Sequence, residues 1–137
     1  MKNILIVLLG PTGVGKTDIS IDLATRLKCE IISADSRQFF REMRVGTAVP
    51  TDHQLNIIKH HFIRFLSVEN YYSVSLFERD VLDLLPRLFS RNNTILMSGG
   101  SGMYIDAVCN GIDDIPDIDQ VVREKYISRY YEEGIEG

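Results

Sequence analysis

An α/β fold, a parallel sheet with helices on both faces, is what this sequence predicts, and three observations carry it. A β-rich apolar run, Ile4 to Leu9, leads at once into the glycine-rich segment Gly10-Pro11-Thr12-Gly13-Val14-Gly15-Lys16-Thr17. Behind that segment, Thr17 to Leu27 has helical periodicity, with Ile19, Leu23, Ala24 and Leu27 on one stripe. A second apolar run, Glu30-Ile31-Ile32-Ser33-Ala34, then resumes the sheet. Strands joined by a crossover helix pair in parallel and are covered on both faces. At 137 residues, 45% hydrophobic and 25% charged, the chain has the make-up of one compact core.

The remaining elements follow in order. Ser36 to Val49 has no clean period and is punctuated by Gly46 and Pro50, so it reads as a loop. Asp52 to Lys59 fits one short helix and His61 to Leu66 a further strand. Ser75-Leu76-Phe77-Glu78 has the pattern of a capping box, opening a helix that turns Phe77, Val81, Leu84, Leu85 and Leu88 inward. Pro86 should kink that helix or end it early. Thr94 to Ser98 reads as a strand entering Gly99-Gly100-Ser101-Gly102, and Met103 to Cys109 as a helix that Asn110-Gly111 terminates. After Ile115-Pro116-Asp117 the composition turns acidic and helical through Tyr131. The expected organisation is an α/β core over 1–112 and the start of a helical insertion over 113–137, in a chain cut from a longer protein.

Composition narrows the function classes. Ile4 to Leu9 is too short to cross a bilayer and lacks a basic leader and a cleavage site, which points to a cytoplasmic protein with no membrane attachment. Cys29 and Cys109 lie far apart without metal-site spacing and are expected to be reduced packing residues. The net charge of −4 argues against a protein that is basic all over. Locally the balance differs: Arg37 to Arg64 holds five basic and two acidic residues, whereas Asp113 to Gly137 holds three basic and eight acidic. A basic face of this kind is compatible with a polyanionic partner, and equally with a plain solvated surface.

The glycine-rich segment carries the chemistry. Gly-x-x-x-x-Gly-Lys-[Ser/Thr] between a strand and a helix is a nucleotide-type phosphate loop, which makes the predicted fold P-loop NTPase-like. Its glycines let backbone amides converge on phosphate oxygens at a helix N-terminus. Lys16 adds a point charge, and the Thr17 hydroxyl is a ligand for Mg²⁺, a hard cation that takes substrate oxygens. The loop leaves the reaction open. Kinases, ATPases and GTPases usually add a strand-borne Asp for the metal, but here Ile95-Leu96-Met97-Ser98 runs into Gly99-Gly100. Asp35 stands at the carboxyl end of the second strand, where open α/β sheets bind their ligands.

Beyond the loop, the chain carries Ser33-Ala34-Asp35-Ser36-Arg37-Gln38 and Val45-Gly46-Thr47-Ala48. The His60-His61 pair, Tyr72-Ser73-Val74 with Phe77, Gly99-Gly100-Ser101-Gly102-Met103-Tyr104, and Ile115-Pro116-Asp117 before Arg123 follow. In this combination it resembles the amino-terminal part of the tRNA dimethylallyltransferases, which prenylate N6 of an adenosine beside the anticodon. The resemblance implies that Gly10 to Thr17 holds the diphosphate of dimethylallyl diphosphate as leaving group, with Lys16, Thr17 and magnesium stabilising its charge. It implies Asp35 as the base that takes the amine proton; read without the family, the same residue would be an N-cap or strand-end Asp. It assigns tRNA contact to Asp35, Ser36, Arg37, Gln38, Ser101 and Arg123. Ser101 departs from the family's usual threonine yet keeps the hydroxyl expected beside the reacting groups. His60 and His61 are expected to be structural rather than metal-binding, and Tyr104 to pack its helix. The resemblance further implies an extruded adenosine, a monomer, and a missing half that completes the grip on tRNA. Competing readings are a nucleotide or small-molecule kinase that binds ATP on the same loop, an adenylate isopentenyltransferase, and a nucleotide-dependent binding module without chemistry.

Overall fold

The computed structural model describes residues 1–113, 116 and 118–135; of the segment Ile115-Pro116-Asp117, Ile115 and Asp117 lie outside that set. Among the described residues four strands form one sheet: β1 (Ile4–Leu9), β2 (Ile31–Ser33), β3 (His60–His61) and β4 (Thr94–Gly99). All are parallel, in the order β1-β4-β2-β3. The long register runs from Ile4↔Thr94 to Leu9↔Gly99, and β2 meets β4 at Ile31↔Leu96 through Ser33↔Ser98. The helices are α1 (Lys16–Leu27), α2 (Asp52–Ile57), α3 (Val74–Phe89), α4 (Gly102–Asn110) and α5 (Gln120–Glu133).

Strand alternation divides the core in two. Ile31 and Leu96 face α1 and pack with Ile21, Ala24 and Cys29. Ile32, Ile95 and Met97 face the other way and meet Phe77, Val81 and Leu88 of α3 with Ile105 of α4. Helices therefore cover both faces, as the apolar runs predict. Each fully buried side chain of this size contributes about 1.5–3 kcal/mol relative to exposure. Phe39 anchors the α3/α4 side: its ring stacks on Phe77 at 5.3 Å and meets Tyr104 and Tyr72 edge-on at 5.6 Å, so Tyr104 packs as expected.

Several expectations are corrected. The strand foreseen over His61 to Leu66 is only His60–His61, because Phe62 and Arg64 adopt left-handed backbone (φ 63° and 50°) that turns the chain out of the sheet. Phe62 and Phe65 then enter the aromatic cluster instead of continuing a ladder. The cap of helix α3 lies two residues before the one anticipated, since Ser73 rather than Ser75 is the cap and its Oγ accepts from the Leu76 amide. Pro86 does not stop α3, which runs to Phe89; one missing N–H sits in the last turn, and Ser90 N donates to the Pro86 carbonyl. Ile19 is 53% exposed, because α1 turns Ser20, Ile21 and Ala24 to the sheet instead. Cys29 is buried, but Cys109 is exposed on α4 and is not a packing residue. Among the described residues no helix is long and apolar enough to cross a membrane. Helix α5 buries no residue, and its Arg123 guanidinium lies 5.6 Å from the centre of the Tyr71 ring.

Candidate active site

Because the strands are parallel, the turns after β1, β2 and β4 gather at one edge of the sheet. After β1 the chain makes the phosphate loop. Gly13 and Gly15 both sit at φ 85°, a left-handed conformation that favours glycine, and Gly15 caps α1. Lys16 Nζ donates back to the Pro11 carbonyl, which folds the side chain over the loop it serves.

The turns after β2 and β4 are laced together. Ala34 N donates to Ser98 O at 2.9 Å, and Ser101 N donates to Ala34 O at 3.1 Å. The backbones touch at Gly99, where a Cβ would lie 2.1 Å from the Ala34 carbonyl oxygen, so only glycine fits there. Ser101 Oγ accepts from Ser36 N at 3.0 Å and donates to Ser36 Oγ at 3.3 Å, which ties the Asp35-Ser36 turn to the start of α4.

Asp35 caps the single 3₁₀ turn Ser36–Phe39, its Oδ1 accepting from Arg37 N at 3.2 Å. The same residue lines a cleft of 310 Å³ together with Thr12, Gly13, Gly15, Lys16 and Thr17 of the phosphate loop. Both sequence readings of Asp35, cap and cleft carboxylate, are therefore present in one side chain. A cleft of this size is at the small end of ligand sites, about 300–1,000 Å³.

The other predicted residues divide. Pro11 and Val14 are exposed on the loop, and Gly10 N donates to Gly99 O at 3.4 Å beneath it. Arg37 points outward, and Arg123 lies on α5 against Tyr71. Gln38 lines the same cleft, but it is 8% exposed and its amide is committed inside the protein. Its Oε1 accepts from Ser33 Oγ at 3.3 Å, while Nε2 donates to the Thr47 and Ala48 carbonyls at 3.2 and 3.1 Å.

Sequence reasoning missed part of the cleft's lining. Ile31, Val49, Pro50, Gln54 and His60 belong to it, with Ser98 near the end of β4, and Gln54 Nε2 donates to Asp18 Oδ1 at 2.9 Å. The signal was present in Ala48-Val49-Pro50 closing the irregular 36–49 stretch, but nothing in its spacing shows that it folds over β2. His60 Nδ1 donates to the Ile58 carbonyl at 2.9 Å. Burial holds its imidazole below the ordinary value of 6.5, partly opposed by that hydrogen bond and reinforced by the neighbouring His61. His61 instead pairs with Glu30, Nε2 to Oε2 at 2.6 Å, at the sheet edge. Among the described residues no group of three or more His, Cys, Asp or Glu side chains could hold a metal by itself. The hydroxyls lining the cleft from the loop and β4 are Thr12, Thr17 and Ser98, hard oxygens that suit magnesium when anionic substrate oxygens complete its shell.

Comparison with known proteins agrees with this architecture. The family model described as IPP transferase matches residues 38–137. The chain is 56% identical over 133 residues to tRNA dimethylallyltransferase 2 of Porphyromonas gingivalis, covering 97% of this chain and 44% of that protein. It is 51% identical over 134 residues to tRNA dimethylallyltransferase of Flavobacterium psychrophilum, covering 98% and 44%. The full-length tRNA isopentenylpyrophosphate transferase of Bacillus halodurans superposes with a TM-score of 0.78 at 33% identity, covering 98% of this chain and 45% of that one. A eukaryotic dimethylallyltransferase acting on tRNA shares the fold alone, at 23% identity and a TM-score of 0.76. The chain thus spans less than half the length of these relatives. From the family-model match over 38–137, together with the P-loop NTPase-like parallel sheet, we conclude that this chain belongs to the IPP transferase family.

Proposed function

We propose that the full-length protein transfers a dimethylallyl group from dimethylallyl diphosphate to the exocyclic amine of an adenosine in tRNA, releasing diphosphate. The single observation that carries this reading is that Asp35 and the phosphate loop line one cleft. A phosphate loop with a carboxylate beside it could serve a kinase as well as an amine that must lose a proton; a hydroxyl at Ser98, where phosphoryl-transfer enzymes usually carry a strand-borne acid, favours the second.

The residues would divide the work as follows. Backbone amides from Gly13 to Thr17 and the Lys16 ammonium hold the diphosphate and stabilise the charge that grows on it as the allylic C–O bond breaks. The amine nitrogen forms the new bond to that carbon, and Asp35 accepts its proton. Ser101, bonded to Ser36, fixes the turn that carries Asp35. Thr17, with diphosphate oxygens, would hold Mg²⁺, which supplies further neutralisation of the leaving group when bound. Arg37 and Arg123, both exposed, are available to tRNA phosphates.

Asp35→Asn separates chemistry from binding. An asparagine oxygen can still accept from Arg37 N, so the 3₁₀ turn stays capped. With the full-length protein, turnover should fall by about 10²–10⁴-fold, the usual contribution of a general base, while pyrophosphate affinity measured by calorimetry is retained. A variant that keeps its turnover would remove Asp35 from the mechanism.

A further inference from the structure

Resting on the reading that Asp35 takes the amine proton, we propose that Gln38 is a positioning residue for Asp35, and that the segment Val45-Gly46-Thr47-Ala48 is the anchor against which it holds. Among the described residues four polar side chains are buried, Ser20, Ser33, Gln38 and Thr47, and the last three belong to one network. Burying a polar group is costly unless it is hydrogen-bonded, and here both ends of the Gln38 amide have partners inside the protein.

The network closes around Asp35. Ser33 ends β2 and Gln38 lies in the 3₁₀ turn that Asp35 caps, so the two bracket Asp35 in sequence. Ser33 Oγ donates to Gln38 Oε1 at 3.3 Å, and Gln38 N donates to the Asp35 carbonyl at 2.9 Å. One side-chain bond thus spans the base of the turn and one backbone bond lies within it, with Asp35 on the arc between. Ser101 fixes the same arc through Ser36. What remains to Asp35 is rotation of its side chain, and Arg37 N holds one of its oxygens.

The anchor lies on the other side of Gln38. Nε2 donates to the successive carbonyls of Thr47 and Ala48 at 3.2 and 3.1 Å. Gly46 and Ala48 both have left-handed backbone, φ 78° and 47°, and for Ala48, which carries a Cβ, that conformation persists only where its surroundings hold it. Thr47 Oγ1 donates to the Met43 carbonyl at 2.7 Å and stiffens the segment further. Asp35, Gln38 and Ala48 all line the cleft, so a shift of Gln38 is felt where the base meets the phosphate loop.

The experiment uses the full-length protein and a double-mutant cycle. Gln38→Met keeps the length of the side chain and removes all three of its hydrogen bonds; Ser33→Ala removes only the bond across the turn and is the milder second variant. Each is made alone and together with Asp35→Asn, and kcat, KM for tRNA and calorimetric affinity for pyrophosphate are measured. Gln38→Met should lower kcat by about 10–10²-fold, the scale of a base displaced by an ångström, with KM for tRNA and pyrophosphate affinity unchanged. In the Asp35→Asn background it should lower turnover no further, because its effect runs through the carboxylate that is already gone. Ser33→Ala should repeat the pattern at smaller size, and decides the matter if Gln38→Met does not fold. A raised KM for tRNA with kcat retained would overturn the proposal by making Gln38 a tRNA contact. Equal losses in both backgrounds would overturn it by showing a general role in the fold. Failure of the underlying reading shows in a separate arm: Asp35→Asn alone would keep its turnover, which removes both.

Discussion

At the scale of single residues, the site shows side chains holding two tasks at once. Asp35 caps a turn with one oxygen and faces the cleft, and Ser101 accepts one bond and donates another to Ser36. The same economy governs acid sensitivity. Burial alone would raise the Glu30 carboxyl, but the His61 hydrogen bond, the charges of His61 and Lys59, and the bond from Arg91 outweigh it and hold Glu30 below its ordinary 4.5. A carboxyl depressed on folding contributes stability that is present above 4.5 and lost as pH falls through the folded value. His60 acts in the same direction higher up, since its depressed imidazole lets the unfolded chain take up a proton first once pH falls beneath 6.5. Urea midpoints should therefore be level near neutrality and decline in two stages on acidification, the first removed by His60→Asn and the second reduced by Glu30→Gln. A midpoint that stays flat on crossing 6.5 would contradict the account of His60.

At the scale of elements, the contact between the ends of β2 and β4 decides whether the site assembles. Gly99→Ala would place a methyl 2.1 Å from the Ala34 carbonyl oxygen, backbone that cannot swing aside, so Asp35 and Ser101 would be driven apart. Stability should drop by at least the ~1–3 kcal/mol typical of an overpacked core, measured by urea unfolding. Gly102→Ala, with nothing within 4 Å, should change it little; equal effects would show that the close approach is unimportant. Elements governed by local chemistry were legible in the sequence. β1, the phosphate loop, α1, β4 and the Gly111 stop of α4 fall within a residue or two of expectation, because apolar runs, glycines and caps act over short range. The strand over His61 to Leu66 was not legible, since the aromatic cluster that draws Phe62 and Phe65 aside depends on α3 and the Phe39 turn. For the same reason the internal hydrogen bonding of Gln38, which the resemblance assigns to tRNA contact, was not legible: its partners Thr47 and Ala48 lie nine and ten positions away across an irregular loop.

At the scale of the whole molecule, two cores on opposite faces of one sheet leave the carboxyl ends of its strands free to build a single cleft. Phosphate loop and Asp35 come to that cleft from separate strands, so neither has a defined position without the sheet between them. The family supplies the expectation for the reaction, and the geometry brings to one cleft the carboxylate and the phosphate loop which that reaction would use. The direct test is transfer from a doubly labelled donor, dimethylallyl diphosphate carrying carbon label in the allyl group and phosphorus label in the diphosphate, given to the full-length protein with tRNA and magnesium. The carbon label should appear in the tRNA and all phosphorus label in free pyrophosphate. Phosphorus label on the acceptor, or ATP-dependent phosphorylation with no carbon transferred, would contradict the account.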